Sequence, residues 1–474
     1  MKIHHKTKIV CTIGPAIDHY DTLLELAKTG MNVVRFNFSH DVYENHARRM
    51  DLVRKVADEN DYPLAIMMDT KGPKIRVGKM EDDNVNFTTG DQVRIIKEEV
   101  IGNNERFTIN TPELFNDVKP GDYILIDDGK IRLNILKNDG DAGLLCEVAN
   151  FGVIKTRKGC AVPGVKLSMP FISEADNADI RFACKMKVDY IAASFVRRKK
   201  DILQIREILE EEQWFPQIIA KIENQEGMDN LDEILEVADG IMVARGDLGL
   251  EVSPQLVPIF QKKMIEKANI AGKAVITATH MLESMMQNPR PTRAEASDVA
   301  NAILDGTDAI MLSGESAVGA YPIQAVETMA TIAGEVEQII PYRDNLRKSI
   351  LTSHRTIQDS IGMAVSEASL NIDQVEAIVA FTQSGSTARR ISKYRPSVPI
   401  FAVTFSKEVV NSLACNWGVI PVYSDVQNNM YNDDELASLV AKKYEIQPGA
   451  FVILTAGYPT GTGTTNMMKI VEVK

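Results

Sequence analysis

Two stretches of the sequence decide the fold: residues 217–223 (QIIAKIE) and residues 240–249 (GIMVARGDLG). Each is a short apolar run that ends in charged residues, which predicts a buried parallel strand whose charged end emerges at the carboxyl edge of a sheet. Lys221, Glu223 and Asp247 would then lie close together at neighbouring strand ends. Two carboxylates repel each other unless a cation lies between them, so the trio favours a site for a hard divalent cation and an anionic substrate.

Strand-like runs of this kind recur along the chain, with helical spacing between them. The alternation predicts an α/β fold, a (β/α)8 TIM barrel whose strand ends form one mouth. An open doubly wound sheet is the alternative that the strand count leaves open. The predicted barrel strands are residues 7–14, 32–39, 63–70, 189–195, 216–224, 240–249, 273–281 and 308–316.

The alternation breaks once, between residues 73 and 170, where short alternating strands and turns such as Pro120-Gly121 predict an inserted small β-barrel domain. The catalytic barrel would then be discontinuous, with residues 1–72 and 171–345, and the insertion could close over its mouth as a lid. A polar stretch from Pro341 to about Arg355 indicates a linker. Residues 346–474 predict a C-terminal α/β regulatory domain.

The composition excludes several classes of protein. The formal charge of −12 over 474 residues argues against nucleic acid or an anionic membrane as the main partner. The five cysteines are scattered, which predicts neither a disulfide framework nor a zinc site and suits a reducing compartment. No run is long enough for a signal peptide core or a membrane span, so we expect a cytoplasmic protein.

Two further regions predict phosphate binding. Lys71, Lys74, Arg76 and Lys158 cluster where the chain enters and leaves the inserted domain, as a solvated basic rim or as a phosphate clamp. Residues 381–387 (FTQSGST) follow a predicted strand and open a helix, so hydroxyls and helix N–H groups could bind a phosphorylated effector. A capped turn is the alternative for this loop and for residues 461–465 (GTGTT). The candidate effector residues are Thr382, Ser384, Ser386 and Thr387.

Several longer motifs resemble the pyruvate kinase family. The resemblance implies phosphoryl transfer from phosphoenolpyruvate to ADP, giving pyruvate and ATP in the final step of glycolysis, with Mg²⁺ or Mn²⁺ as cofactor. It also implies a cytoplasmic homotetramer that responds to a phosphorylated small-molecule effector. The motifs are residues 7–15 (TKIVCTIGP), 35–40 (RFNFSH), 69–76 (DTKGPKIR), 221–224 (KIEN), 242–249 (MVARGDLG), 288–295 (NPRPTRAE) and 311–315 (MLSGE).

The resemblance also implies roles for single residues. Lys221 would stabilise the transferring phosphoryl group and the enolate, and Arg35 would bind the phosphate. The substrate carboxylate would lie against the backbone amides of Gly246 and Asp247 and against Thr279. Glu223 and Asp247 would hold Mg²⁺, and Arg76 and Lys158 would contact nucleotide phosphates. The K⁺ ligands would be Asn37, Ser39, Asp69 and Thr70.

Two residues depart from the family pattern. Lys74 stands where members that need K⁺ typically carry glutamate, and its ammonium group could supply the charge that K⁺ otherwise brings. We therefore expect K⁺ to be dispensable although the ligand types are present. His280 stands where glutamine is usual, and a titratable ring beside Thr279 could alter the acid limb of the pH profile.

Two other functions compete with the kinase. A lyase or aldolase acting on a keto acid could use the same metal-binding barrel, but it would not need basic residues on the inserted domain. A catalytically silent sensor or scaffold would not need Lys221, Glu223, Asp247, Arg35 and Thr279 together. For the proton that the enolate must gain, the candidate sources are a water on the Thr279 side or the region of Ser313 and Glu315.

Overall fold

Eight parallel strands close into a barrel in the computed structural model, which describes residues 5–353, 355–424, 433–457 and 465–474. The strands follow each other around the ring in chain order, and the last pairs with the first. The TIM barrel prediction is confirmed, and the open sheet is excluded. Barrel strands one to eight are Lys8–Thr12, Met31–Asn37, Ala65–Asp69, Tyr190–Ala193, Gln217–Ile222, Gly240–Ala244, Ala274–Ala278 and Ala309–Leu312.

Helices surround the barrel and bury the outer faces of its strands, so the strands are apolar on both faces. The helices that pack around the barrel are Tyr20–Thr29, Tyr43–Asn60, Glu174–Lys185, Lys199–Glu212, Leu231–Val237, Val257–Ala271, Arg293–Asp305 and Pro322–Ile339. Short helices follow three strand ends: Gln225–Asp229, Arg245–Glu251 and Gly314–Ala317.

The inserted domain leaves the barrel after strand three and returns before helix Glu174–Lys185, and it has an apolar core of its own. Seven of its strands form one sheet, and two strands that are distant in the chain form a separate antiparallel pair. The edge strands of the larger sheet meet through a bridge between Val77 and Ile109, so the sheet curls toward a small barrel. The strands are Ile75–Arg76, Asn84–Phe87, Gln92–Ile96, Arg106–Thr108, Tyr123–Ile126, Ile131–Asn138, Leu144–Val148, Gly152–Lys155 and Gly159–Ala161.

The C-terminal region forms a five-stranded sheet whose last strand is antiparallel. In spatial order its strands are Val419–Tyr423, Ile400–Thr404, Val375–Phe381, Phe451–Gly457 and Thr465–Glu472, with helices Ile357–Asn371, Ser386–Lys393, Lys407–Ser412 and Asp433–Tyr444.

The predicted linker after Pro341 contains a helix, Tyr342–Thr352, which the sequence did not predict. The segment is polar, so it carries no apolar stripe that would have indicated the helix. Arg343 fixes the helix to its neighbour by donating hydrogen bonds to Leu370 O at 2.6 Å and to Asn371 Oδ1 at 2.7 Å.

The C-terminal domain docks at the amino end of the barrel strands. Ala414 and Cys415 pack into the apolar core inside the barrel, and Tyr190 Oη at the start of strand four accepts a hydrogen bond from Cys415 N at 3.2 Å. This docking leaves the opposite mouth, where the strands end, to the inserted domain. Among the residues that the structure describes, no helix is both long and apolar enough to cross a membrane.

Candidate active site

A buried carboxylate joins two cationic side chains at the mouth. Asp69 ends barrel strand three, and its Oδ2 accepts a hydrogen bond from Arg35 Nε at 2.6 Å, while its Oδ1 accepts one from Lys221 Nζ at 2.9 Å. Lys221 Nζ also donates to Ser194 Oγ at 2.8 Å, and Arg35 Nη1 donates to Thr12 Oγ1 at 2.8 Å. Side chains at three strand ends thus hold in fixed positions two positive charges that come from two other strands.

The ionisation of this cluster follows from its contacts. Burial alone would raise the pKa of Asp69, but Arg35 and Lys221 outweigh it and lower the pKa to about 2. Burial alone would lower the pKa of Lys221, but Asp69 and Glu223 outweigh it and raise the pKa above its ordinary value. Lys221 is therefore a permanent cation at neutral pH, suited to electrostatic stabilisation and unsuited to act as a base.

Glu223 is a fully buried carboxylate with one oxygen left for a ligand. Its Oε2 accepts a hydrogen bond from the main-chain N–H of Phe195 at 2.6 Å. Its Oε1 accepts no hydrogen bond, although Lys221 Nζ lies 3.1 Å away. Burial, with the charge of Asp247 as a further cause, raises the pKa of Glu223. A buried acceptor without a hydrogen bond and beside a second carboxylate fits a cation ligand.

Glu223 and Asp247 match what Mg²⁺ requires of a protein. Mg²⁺ is usually bound by one or two carboxylates, and phosphate and water oxygens complete its octahedron. Within the described parts of the chain, no group of three or more His, Cys, Asp or Glu side chains is arranged to hold a metal ion. The donor set therefore fits Mg²⁺ or Mn²⁺ shared with a substrate.

Helix Arg245–Glu251 starts directly at the end of strand six. The N–H of Gly246 donates to Thr279 Oγ1 at 2.8 Å, and that hydroxyl donates to Ala278 O at 2.7 Å. Thr279 has a left-handed backbone (φ 69°), and Arg245 supports this turn by donating to Thr279 O at 2.7 Å. Gly246 and Thr279 thus lie together, with amides of a first helical turn available to a carboxylate.

The four residues that the resemblance assigns to K⁺ lie on strands two and three and just beyond them, and internal bonds already engage three of them. Asn37 Oδ1 accepts from Ser39 N at 3.1 Å, and Thr70 Oγ1 accepts from Ser194 N at 3.0 Å. Both carboxylate oxygens of Asp69 are bonded to Arg35 and Lys221.

Lys74 brings an additional positive charge to the mouth. Its Nζ lies 3.6 Å from Asp247 Oδ1 and 5.3 Å from the centre of the Phe195 ring. The sequence predicted this charge, but its pairing with Asp247 depends on how the inserted domain lies against the barrel mouth.

A cleft of about 570 Å³ separates the barrel mouth from the inserted domain. Lys74, Arg76 and Lys158 line it from the inserted domain, and Phe195 and Asp247 line it from the barrel. Lys158 Nζ pairs with Asp127 at 2.6 Å, and Arg76 Nη1 donates to Arg157 O at 3.0 Å. The volume is that of a pocket for a small-molecule ligand or cofactor.

Glu315 does not face the site as a proton donor. It is fully buried, and its two oxygens accept hydrogen bonds from the main-chain N–H groups of Leu282 at 3.1 Å and Ser313 at 2.8 Å. The predicted proton route through Ser313 and Glu315 therefore has no support in the geometry. His280 follows Thr279, also with a left-handed backbone (φ 53°), and both residues line a cavity that Asp247 shares.

Three contributions to the site went unassigned in the sequence. Thr12 and Ser194 stand at strand ends, and the rule that found Asp69 could have found their roles as partners of Arg35 and Lys221. The main-chain N–H of Phe195 donates to Glu223, and no side-chain pattern in the sequence could have predicted this contact.

The loop predicted to bind an effector has the predicted strand–loop–helix form, between Val375–Phe381 and Ser386–Lys393. Thr382 and Thr387 are buried, and the hydroxyls of Thr387 and Thr465 are bonded to each other at 2.7 Å. Ser384 and Ser386 are partly exposed, and Arg389 fixes the loop by donating to Ser384 O at 2.9 Å. Of the second predicted loop, residues 461–464 lie outside the described residues.

Comparison with known proteins agrees along nearly the whole chain. The family "Pyruvate kinase, barrel domain" matches residues 4–326, and "Pyruvate kinase, alpha/beta domain" matches residues 359–471. Pyruvate kinase from Staphylococcus aureus (strain MRSA252) is 50% identical over 470 residues, which cover 98% of this chain and 80% of that protein. The Geobacillus stearothermophilus enzyme is 49% identical over 472 residues, with the same shares covered.

The similarity extends to three dimensions. The crystal structure of a pyruvate kinase from Cryptosporidium parvum has a TM-score of 0.94 and 38% identity, covering 99% of this chain and 97% of that one. The sequence matches and the shared architecture lead to one conclusion: the chain belongs to the pyruvate kinase family.

Proposed function

We propose that Lys221 and Arg35 carry the phosphoryl transfer from phosphoenolpyruvate to ADP that this chain catalyses, with pyruvate and ATP as products. The observation that carries this assignment is the buried Asp69 bridge, which fixes both cations through bonds of 2.6 and 2.9 Å. The transferring phosphoryl group spreads negative charge over its oxygens, so prepositioned cations stabilise it without reorganisation. A lyase or a silent scaffold does not account for the family membership.

Substrate orientation would come from the opposite side of the mouth. Arg35 binds the phosphate, while the amides of Gly246 and Asp247 and the Thr279 hydroxyl hold the carboxylate. The Gly246 N–H now donates to Thr279 Oγ1, so the substrate carboxylate would accept that hydrogen bond in place of the hydroxyl. Such positioning contributes to catalysis because it fixes the reacting phosphate beside Lys221.

Glu223 and Asp247 would hold the divalent cation, Mg²⁺ or Mn²⁺, that this family uses in general. When bound, the cation supplies positive charge to the phosphoryl and enolate oxygens. Glu223 must be ionised to act as a ligand, and because its pKa is raised, metal affinity should fall as the pH falls.

Arg76 and Lys158 would contact the phosphates of ADP and ATP from the inserted domain. Both line the cleft that Asp247 borders, so a nucleotide bound there would lie beside the metal ligands. Closure of the inserted domain would exclude water that could otherwise hydrolyse the phosphoryl group.

Pyruvate kinases depend in general on K⁺, and Asn37, Ser39, Asp69 and Thr70 supply the ligand types for it. We propose that K⁺ is nevertheless dispensable here, because Lys74 holds a permanent positive charge 3.6 Å from Asp247.

Membership of the pyruvate kinase family is also the basis for two proposals, one on regulation and one on assembly. Ser384 and Ser386, with Thr382 and Thr387 behind them, would bind the phosphate of a small-molecule effector. Activation by a sugar phosphate or a nucleoside monophosphate should then weaken in a Ser384→Ala/Ser386→Ala variant. The chain would assemble as a homotetramer, which light scattering of the purified protein would test directly.

A coupled assay of pyruvate formation from phosphoenolpyruvate, ADP and Mg²⁺ tests the residue assignments. Lys221→Ala and Glu223→Gln should each lower kcat by about 10²–10³-fold, because each loses charge at the reacting centre. Lys348→Ala, at an exposed lysine of helix Tyr342–Thr352, is the control and should leave the rate unchanged. Full activity of Lys221→Ala would exclude this lysine from the mechanism.

A further inference from the structure

A short segment of the chain, residues 167–169, connects the inserted domain to the barrel on its return. We call it the return segment. The side chains of Leu167 and Met169 pack against the apolar core of the inserted domain. Between them, the N–H and hydroxyl of Ser168 donate to Asp117 Oδ2 of the same domain, at 2.7 and 3.1 Å. The return segment is therefore part of the body of the inserted domain.

One barrel side chain binds the other face of this segment. Arg197 Nη1 donates to Leu167 O at 2.8 Å, and its Nη2 donates to Met169 O at 3.2 Å. The planar guanidinium can bond two carbonyls two residues apart, which the single ammonium of a lysine cannot match. The Arg197 side chain is only 12% exposed, so these bonds form away from competing water.

Arg197 is itself held in place by the barrel. Its main-chain N–H donates to Asp201 Oδ2 at 2.8 Å, and its carbonyl accepts from Asn230 Nδ2 at 2.9 Å. Asp201 lies in helix Lys199–Glu212, and Asn230 follows the short helix after strand five. The guanidinium therefore projects from a backbone that two neighbouring β/α units fix.

The same loop also supports the catalytic cluster. Ser194 Oγ accepts from Lys221 Nζ at 2.8 Å, and the N–H of Phe195 donates to Glu223 Oε2 at 2.6 Å. Arg197 follows two residues later. The loop thus connects Lys221 and Glu223 on one side with the inserted domain, which carries Arg76 and Lys158, on the other.

We propose that Arg197 is a positioning residue, which fixes the return segment and with it the inserted domain at the rim of the barrel mouth. It sets the distance between the nucleotide contacts on the inserted domain and the phosphoryl site on the barrel. The effect on ADP rests on the proposed function, in that Arg76 and Lys158 are taken to bind the nucleotide. The effect on the return segment does not depend on that assignment.

Arg197→Met tests the proposal, because methionine keeps apolar bulk and removes the donors. Hydrogen–deuterium exchange of peptides covering residues 162–170 should become about tenfold faster, as expected for the loss of charged hydrogen bonds. The KM for ADP should rise about tenfold with the KM for phosphoenolpyruvate within about twofold. Arg197→Lys should recover part of both effects. Arg198→Met is the control, since Arg198 is a half-exposed neighbour that pairs with Glu226.

The outcomes distinguish the positioning role of Arg197 from the nucleotide-binding role of Arg76 and Lys158. Unchanged exchange in Arg197→Met, or an equal rise of both KM values with faster exchange throughout the barrel, would overturn the positioning role. Arg76→Ala, measured in parallel, reports on the nucleotide site alone. If it leaves the KM for ADP unchanged, the nucleotide assignment fails, while exchange of the return segment still decides the role of Arg197.

Discussion

At the residue scale, Asp69 organises the two cationic side chains of the candidate site. One buried carboxylate accepts hydrogen bonds from Arg35 and Lys221, which come from different strands. A lysine and an arginine so close together would repel each other, and the carboxylate between them removes that repulsion. The resemblance assigned Asp69 only to a K⁺ site, because the spacing of residues along the chain does not reveal that the Arg35 side chain reaches Asp69 from the neighbouring strand.

Asp69→Asn should lower stability in a pH-dependent way. The folded pKa of Asp69 is about 2, below its ordinary value, so its charge stabilises the fold above about pH 4. That contribution, about 2–3 kcal/mol, is lost as the pH falls from 4 towards 2. Urea unfolding should therefore show a less stable variant at pH 7 and converging curves near pH 2. Asp141→Asn, at a fully exposed aspartate, should match the wild type at both.

Lys74→Glu should convert the enzyme to K⁺ dependence. The wild type should retain its rate in buffer free of K⁺ and Na⁺, because the Lys74 ammonium lies beside Asp247. In the variant an additional carboxylate enters the mouth beside Asp247, so activity should fall at least tenfold and return as K⁺ is titrated. Lys79→Glu reverses an exposed charge on the same domain and should remain K⁺-independent. A wild-type rate near zero without K⁺ would refute the prediction.

At the scale of elements, a strand or helix could be predicted where its burial leaves an apolar pattern in the sequence. All eight barrel strands were found, since strands buried on both faces are continuous apolar runs. Helix Tyr342–Thr352 was missed, because its stability comes from contacts such as Arg343 to Leu370 O, not from an apolar stripe.

Gly72 lies where the chain passes from barrel strand three into the inserted domain, a point that we call the hinge. A substitution there tests how closely the elements pack at the barrel mouth. Gly72 has a φ of 66°, and a Cβ there would lie 2.7 Å from Ser194 Cβ. Gly72→Ala should therefore combine backbone strain with a steric clash, costing about 2–4 kcal/mol. It should also lower kcat, since Ser194 is a partner of Lys221.

Gly121→Ala is the matched control for the hinge. Gly121 also has a positive φ (97°), but nothing lies within 4 Å of an added Cβ. This variant should lose about 1 kcal/mol from backbone strain alone and keep its kcat. Denaturant unfolding and steady-state rates of the two variants decide the matter: equal losses of stability with unchanged kcat would show that the contact with Ser194 has no catalytic consequence.

At the scale of the whole molecule, the two ends of the barrel have different neighbours. The inserted domain covers the mouth, and Ala414 and Cys415 of the C-terminal domain pack into the core at the other end. The sequence predicted three domains, because the pattern of predicted strands, helices and turns changes along the chain. It did not predict this docking, because periodicity reports that a residue is buried and not what buries it. The barrel core is thus completed by residues far away in the chain.

Arg395→Met should uncouple the barrel from the C-terminal domain. Arg395 Nη1 donates to Asp308 Oδ1 at 2.8 Å, and its Nη2 donates to Asn269 Oδ1 and Gly306 O, also at 2.8 Å. Both charged side chains are nearly buried, so removing the arginine leaves Asp308 without its counter-ion and should cost about 3–5 kcal/mol. Calorimetry should show one unfolding transition in the wild type and two in the variant.

The double variant Arg395→Met/Asp308→Asn separates lost charge pairing from lost packing. Removing the uncompensated carboxylate should restore part of the stability, because a neutral amide is cheaper to bury than an unpaired charge. Arg347→Met serves as the control, since Arg347 pairs with Asp344 on the surface and should contribute at most about 0.5 kcal/mol. Two separate transitions already in the wild type would mean that the domains unfold independently, and that the packing of Ala414 and Cys415 inside the barrel does not couple them.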